Sequence, residues 1–244
     1  MRDWAAEEIL LLPLYPQFST TTTGSSVADW DAACAQAGLA LPTTTLCCWH
    51  SDPGFTQATA ALVRQAHAEA LAALPAGGRL RLLFSAHGLP ERIIKQGDPY
   101  QWQIERTVAA VVAELDMPGL DHVVCFQSRA TPQKWIGPST EAEIARAAQD
   151  QVAVLVCPIA FVSDHSETLV ELDMEYREVA HKLGVPGYFR VPAQNSDAAF
   201  IAALARLARQ TLALGQAGRR LCSFAGGRQC PKDRSGCPHT KATA

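Results

Sequence analysis

Short apolar runs alternate with longer stretches of helical periodicity along this chain, and that alternation restricts the fold more than any other feature. The runs fall at residues 9–14, 43–49, 80–84, 123–127, 152–159 and 187–191. Most are apolar at consecutive positions rather than at every second one, as in strands buried on both faces. Between them, helices are expected over 56–74, 100–115, 140–149, 165–183 and 196–214. Thr140 and Glu143 have the spacing of a capping box, and Pro75, Gly77 and Gly78 stop the first long helix. Strands separated by helices of this length predict parallel sheets in an α/β architecture.

With 244 residues, 48% of them hydrophobic, the chain can bury one large core or two smaller ones. The break at 75–78 is the expected boundary, because the strands after it can form a sheet of their own and those before it are too few. The expected division is a remainder of a first α/β lobe at 1–78, a second α/β lobe at 79–205, and a helix end with a cysteine-containing tail at 206–244. From Gly215 onward the composition predicts loop or tail.

A formal net charge of -3 gives no basic field to hold nucleic acid or an anionic membrane. No apolar stretch reaches the roughly 18 residues of a spanning helix, and Asp3, Glu7 and Glu8 do not suit a signal peptide. The expectation is a cytoplasmic protein whose membrane contact, if any, is peripheral; nothing here fixes an oligomeric state. Chain length and alanine content favour reduced cysteines over a disulfide framework. Cys125 and Cys157 lie inside strand-like runs and read as buried hydrophobes. Cys34, Cys47 and Cys48 have no motif spacing, whereas Cys222, Cys230 and Cys237 form a cluster.

Functional groups of open α/β sheets lie beyond the carboxyl ends of strands. His87, between a buried strand and a glycine-containing turn, is either structural or a proton acceptor or metal ligand. Glu167, Glu171 and Glu175 fall at i, i+4 and i+8 and line one face of an α-helix. They form either a solvated acidic face or a site for a divalent cation. The hydroxyl-rich run after Tyr15 is a polar cap and turn or an anion site; it lacks Walker spacing, and no GxGxxG occurs.

Five stretches then carry a resemblance. They are LYPQFSTTTTGSS at 14–26, FSAHGLP at 84–90, QGDPY at 96–100, CFQSRATPQKWIGPST at 125–140 and PIAFVSDHSETLVELDMEY at 158–176. In order and interval, over residues 8–205, the chain resembles the ferrochelatase family. The resemblance implies two similar lobes, each a parallel sheet flanked by helices, around a porphyrin cleft. It also implies insertion of ferrous iron, as substrate, into protoporphyrin IX or coproporphyrin, with release of two protons, in haem biosynthesis. By that resemblance His87 accepts protons or receives metal, and Glu167 is its partner across the ring. Glu171 and Glu175 continue an acidic path for metal or protons, Asp164 and His165 support the turn, and Tyr15 and Trp135 contact the porphyrin.

Two departures from the family pattern shape the expectations. Met1 falls shortly before the LYPQFS segment, so the first lobe is expected to be incomplete, with little chelatase activity and an exposed apolar edge around residues 9–14. Some family members bind a [2Fe-2S] cluster; here Cys222, Cys230 and Cys237 would supply three ligands and Cys34, Cys47 or Cys48 a fourth. His239 leaves a Cys3His zinc site open, and reduced thiols are the third reading. A non-catalytic truncated paralogue that binds tetrapyrrole or metal is the alternative to an enzyme. A smaller sirohydrochlorin chelatase is disfavoured by the single FSAH histidine and the glutamate stripe.

Overall fold

The computed structural model describes residues 5–128 and 131–240. Met1, Asp3, Arg129 and Ala130, which entered the sequence reading, lie outside the described residues. In chain order the elements are β1 (Ile9–Leu11), α1 (Thr23–Ala37), β2 (Thr43–Leu46), α2 (Pro53–Ala73), β3 (Leu80–His87), α3 (Glu91–Lys95), α4 (Tyr100–Leu115), β4 (His122–Gln127), α5 (Thr140–Gln149) and β5 (Ala153–Pro158). There follow a π-helix (Glu167–Glu175), α6 (Tyr176–Lys182), β6 (Tyr188–Arg190), α7 (Ala198–Gln216) and β7 (Leu221–Cys222). The strands form two parallel sheets, ordered β1-β2-β7 and β4-β3-β5-β6. The expected α/β architecture is present, with helices flanking parallel strands.

β5 is buried along its whole length and β3 everywhere except at His87. Their two-residue period sorts the side chains. Leu82, Phe84, Ala86, Leu155 and Cys157 pack with Val63 of α2 and Ile104, Val108 and Val111 of α4. Leu83, Val154 and Val156 pack on the other side with Ile144 of α5, Leu172 of the π-helix and Ala180 of α6. Each Leu, Ile, Val or Phe among them contributes roughly 1.5–3 kcal/mol, so the carboxyl ends of β3 and β5 stand on a well-packed base. Burial pushes the thiols of Cys125 and Cys157 up to about 12, in keeping with small core residues.

A third cluster joins Leu46, Trp49, Phe55, Phe200, Leu207 and Cys222, placing α7 against the smaller sheet. Asp52 caps α2 by accepting from the Gly54 and Phe55 amides, and both its oxygens also take Arg206 of α7 at 2.6 Å. A Cβ at Gly54 would lie 2.5 Å from that of Ala203, so this helix crossing requires glycine.

Several elements differ from expectation. The cap of α5 is Ser139, which accepts from the Ala142 amide; Glu143 instead binds Arg146. Residues 221–222, expected as loop, pair with β2 because the end of that strand still had unpaired backbone groups to satisfy. The tail beyond is seated as well: the Gly236 amide donates to Gly97 O at 3.0 Å. Gly97 has φ of +94°, and a Cβ there would meet Ser235 Oγ at 2.3 Å. At the supposed apolar edge Ile9 is buried and residues 10–12 are half-buried, while Leu14 is exposed. Among the described residues no helix is long and apolar enough to cross a membrane.

Candidate active site

β3 delivers His87 to the edge of the core, in register with Gln127 of β4. The chain then turns at Gly88, whose amide donates to Gln127 O at 2.7 Å; a Cβ there would lie 2.9 Å from that oxygen and 3.3 Å from the Trp135 ring. Buried Tyr100 donates its hydroxyl to His87 O at 3.1 Å.

Glu167 opens the π-helix, and the turn before it is fastened from two sides. The Asp164 amide donates to Asn195 Oδ1 at 2.8 Å, and Asn195 Nδ2 returns a bond to Asp164 Oδ2 at 2.9 Å. Arg190, at the end of β6, donates to Asp164 Oδ1 and Asp173 Oδ2, both at 2.8 Å. Burial would raise the Asp164 carboxyl, but the Asn195 hydrogen bond and the Arg190 charge outweigh it and hold the group below its ordinary range. The His165 amide donates to Thr168 Oγ1, so the expected support of this turn by Asp164 and His165 has a concrete geometry.

These two elements bring His87 Nδ1 to 2.9 Å from Glu167 Oε2. A planar ring between the two side chains would need about 7 Å, twice the ~3.5 Å of a carbon contact, so with the pair in contact no ring stands between them.

Glu171 has a different task. Its Oε1 accepts from the Ser128 amide and the Tyr176 hydroxyl, both at 2.9 Å, and its Oε2 from Gln127 Nε2 at 3.0 Å and Ser128 Oγ at 2.5 Å. Burial and the Glu171 carboxylate push the Tyr176 hydroxyl well above its usual range. Glu175 is exposed. The α-helical stripe of three carboxylates is thus replaced by a π-helix in which Glu167 meets His87, Glu171 anchors on the end of β4, and Glu175 faces solvent. Four hydrogen bonds to one carboxylate offset the poorer packing of a π-helix, a form concentrated at functional sites.

A cavity of about 250 Å³ opens at the pair. Its lining comes from three stretches of chain: His87, Leu89 and Tyr100; Ala160, Phe161 and Glu167; and a wall of Tyr15, Gln17, Ser19 and Thr22. That wall is fastened to the larger sheet's side of the fold. Buried Asp98 accepts from the Thr20 amide and hydroxyl, each at 2.7 Å, and from Ser19 Oγ at 3.0 Å. The Phe18 amide donates to Gln103 Oε1 at 2.8 Å, and Gln17 Nε2 to Thr107 Oγ1 at 2.9 Å. Tyr15 lines the cavity. Trp135 does not: it packs on Gly88 and donates from Nε1 to Thr131 O. Asp98, Tyr100, Gln103, Thr107 and Phe161 were missed as contributors. Asp98 and Tyr100 sit within the QGDPY stretch, and Gln103 and Thr107 are polar positions one turn apart on an otherwise apolar helix face, so a signal existed.

The structure redistributes the cysteines. Cys47 and Cys48 stand with their sulfurs 3.6 Å apart, and Cys230 receives a hydrogen bond from Gln103 Nε2 at 3.2 Å. A hydrogen bond from Cys230 brings the Cys237 thiol below its ordinary range and leaves that of Cys230 above it. The Cys47 hydrogen bond, burial, and the charges of Cys47 and Cys237 hold Cys48 well above. Cys222, grouped with Cys230 and Cys237 by sequence, instead packs among Leu46, Trp49 and Phe200. Among the described residues no three His, Cys, Asp or Glu side chains are already drawn together as a metal site. His239 is half-buried, and its buried Nε2 has no hydrogen-bond partner.

The family model described as Ferrochelatase matches residues 1–212. Curated relatives named ferrochelatase include that of Caulobacter vibrioides, 46% identical over 96% of this chain and 65% of the relative. That of Hyphomonas neptunium is 44% identical over 99% of this chain and 64% of the relative. The chain therefore spans about 65% of the length of these relatives. Among solved structures, SirB from Bacillus subtilis with Fe3+ superposes with a TM-score of 0.59 over 88% of this chain and 76% of that one, at 14% identity, a likeness of fold alone.

Proposed function

The chain belongs to the ferrochelatase family, and on that premise we propose that it inserts ferrous iron into protoporphyrin IX or coproporphyrin, in haem biosynthesis, at the His87–Glu167 pair. The observation that carries this reading is the direct 2.9 Å contact between imidazole and carboxylate in the wall of a cavity. Porphyrin and ferrous iron are both substrates.

Metalation must remove two pyrrole protons. An ionised Glu167 accepts from His87 Nδ1–H, and this tautomer leaves the Nε2 lone pair as a base. A proton taken up there makes an imidazolium whose charge is balanced by the carboxylate already in contact. Both side chains are about two-fifths exposed, at 40% and 39%, which gives the protons a way out to solvent. Tyr15 and Phe161 offer aromatic faces to the macrocycle, while Trp135 supports the turn behind His87. Glu171 holds the π-helix in place; Glu175 is the exposed carboxylate open to incoming iron. The test is zinc or iron insertion by the 244-residue chain and by variants of the pair.

The thiols that would hold the [2Fe-2S] cluster found in some family members are two pairs, Cys47 with Cys48 and Cys230 with Cys237; among the described residues these are not gathered as a metal site, so they would have to draw together around it, while Cys222 packs in the core. When bound, such a cluster supplies a one-electron centre held by four thiolates. This chain's residues prepare for it by directing the Gln103 amide at Cys230 and by seating the tail on Gly97. The partnerless Nε2 of His239 favours a second reading, a zinc ion held by three of these thiols and that imidazole. Cysteine usage fits a reducing compartment, and the cytoplasm is proposed on that ground.

A further inference from the structure

We infer that Gln103 is a positioning residue that ties the cysteine site to the cavity wall, an inference that rests on the tetrapyrrole reading of that cavity. Gln103 lies on α4 and is fully buried. A buried amide is costly unless both of its ends are satisfied, and here both are, the NH2 end facing the Cys48 thiol as well as Cys230. Oε1 accepts from the Phe18 amide at 2.8 Å, and Nε2 donates to Cys230 Sγ at 3.2 Å.

The orientation of this amide is not free. A backbone N–H can only donate, so the Gln103 oxygen must face Phe18 and its NH2 must face the sulfur. Cys230 is therefore required to accept. A sulfur that is ionised or metal-bound does so better than a protonated thiol, and a stronger bond at the NH2 polarises the carbonyl toward a stronger bond at Phe18.

Phe18 stands between Gln17 and Ser19, both of which line the cavity. The segment hangs on α4 by two side chains, Gln103 and, one turn later, Thr107, which takes Gln17 Nε2 at 2.9 Å. Of the two, only Gln103 bonds a cysteine. A change at Cys230 thus bears, through Gln103, on the segment 17–19 of the cavity lining. A buried amide that merely fills space would respond to its own removal but not to changes at Cys230.

The experiment uses the 244-residue chain and the variants Gln103→Leu, Cys230→Ala and the double variant. Two readouts are taken: hydrogen exchange of the amides at 17–19, and the affinity for metal-free protoporphyrin measured by fluorescence. Each single change is expected to speed exchange and weaken binding by about two- to tenfold, the factor for one hydrogen bond. The double variant should go no further than Gln103→Leu alone, because both changes cut the same link. Cys230→Ser, which keeps an acceptor, should fall between Cys230→Ala and the unaltered chain. If Gln103→Leu does not fold, the two Cys230 variants decide by exchange. Unchanged exchange at Phe18 in Cys230→Ala, or effects that multiply in the double variant, would overturn the inference. If the unaltered chain fails to bind protoporphyrin, the tetrapyrrole reading falls, while the exchange readout still decides the coupling.

Discussion

Nδ1 of His87 and Oε2 of Glu167 lie 2.9 Å apart although 80 positions separate them in the chain. The contact exists because β3 ends at a glycine turn pressed against β4, and because the turn before the π-helix is fastened to β6 by Arg190. Neither side chain is buried, so the pair is held by its supports and remains open to a ligand.

The anchoring of the π-helix gives the first prediction. Tyr176→Phe removes one of four donors to Glu171 and should cost about 1–2 kcal/mol of stability in urea unfolding. Glu171→Ala should cost more, because the Ser128 and Gln127 donors also lose their acceptor. Metal insertion should fall in Glu171→Ala even where the fold persists, since Glu167 sits one turn away on the same element. An unfolding midpoint equal to the parent chain for both variants would contradict the anchoring role.

What the sequence disclosed follows from where its signals are local. The apolar runs of β3 and β5 mark strands covered on both faces, and His87 and Glu167 stand where such strands hand over to turns. α1 was not anticipated because it buries only Thr23 and so lacks an apolar stripe. β7 is two residues long, and its pairing with β2 is set by distant partners. The same non-locality hid the cysteine arrangement: Cys47 and Cys48 lack motif spacing, yet the fold places them with Cys230 and Cys237 while Cys222 joins the core. The carboxylate stripe was read with α-helical geometry, and no local feature of the sequence announces a π-helix.

Arg190 supplies a pH-dependent test. Asp164 has a folded pKa below its unfolded value, so its contribution to stability is fully present above the ordinary carboxylate range near 3.9 and is lost as pH falls through the folded value. Arg190→Met should be less stable than the parent chain at pH 7, and the gap should narrow below about pH 4. Denaturant melts at pH 7 and pH 3 check this; a gap that stays constant or widens at pH 3 would rule it out.

The cysteine site is checked by colour and metal content. Protein purified without air should show visible absorption that disappears in Cys48→Ser, Cys230→Ser and Cys237→Ser but survives in Cys222→Ser. Colourless protein carrying one zinc, lost in His239→Ala, would transfer the assignment to the zinc reading. Protein with neither metal nor sulfide would leave these cysteines as reduced thiols.

The most direct measurement is anaerobic insertion of ferrous iron into protoporphyrin by the 244-residue chain, compared with His87→Ala and Glu167→Gln. Circular dichroism and porphyrin affinity are recorded for all three. If the pair takes up the pyrrole protons, both variants should keep their fold and bind porphyrin within a few-fold of the parent, while the rate falls by about a hundredfold or more, the usual worth of a positioned base. Turnover in either variant within a few-fold of the parent chain, with porphyrin bound, would contradict the assignment of the chemistry to His87 and Glu167.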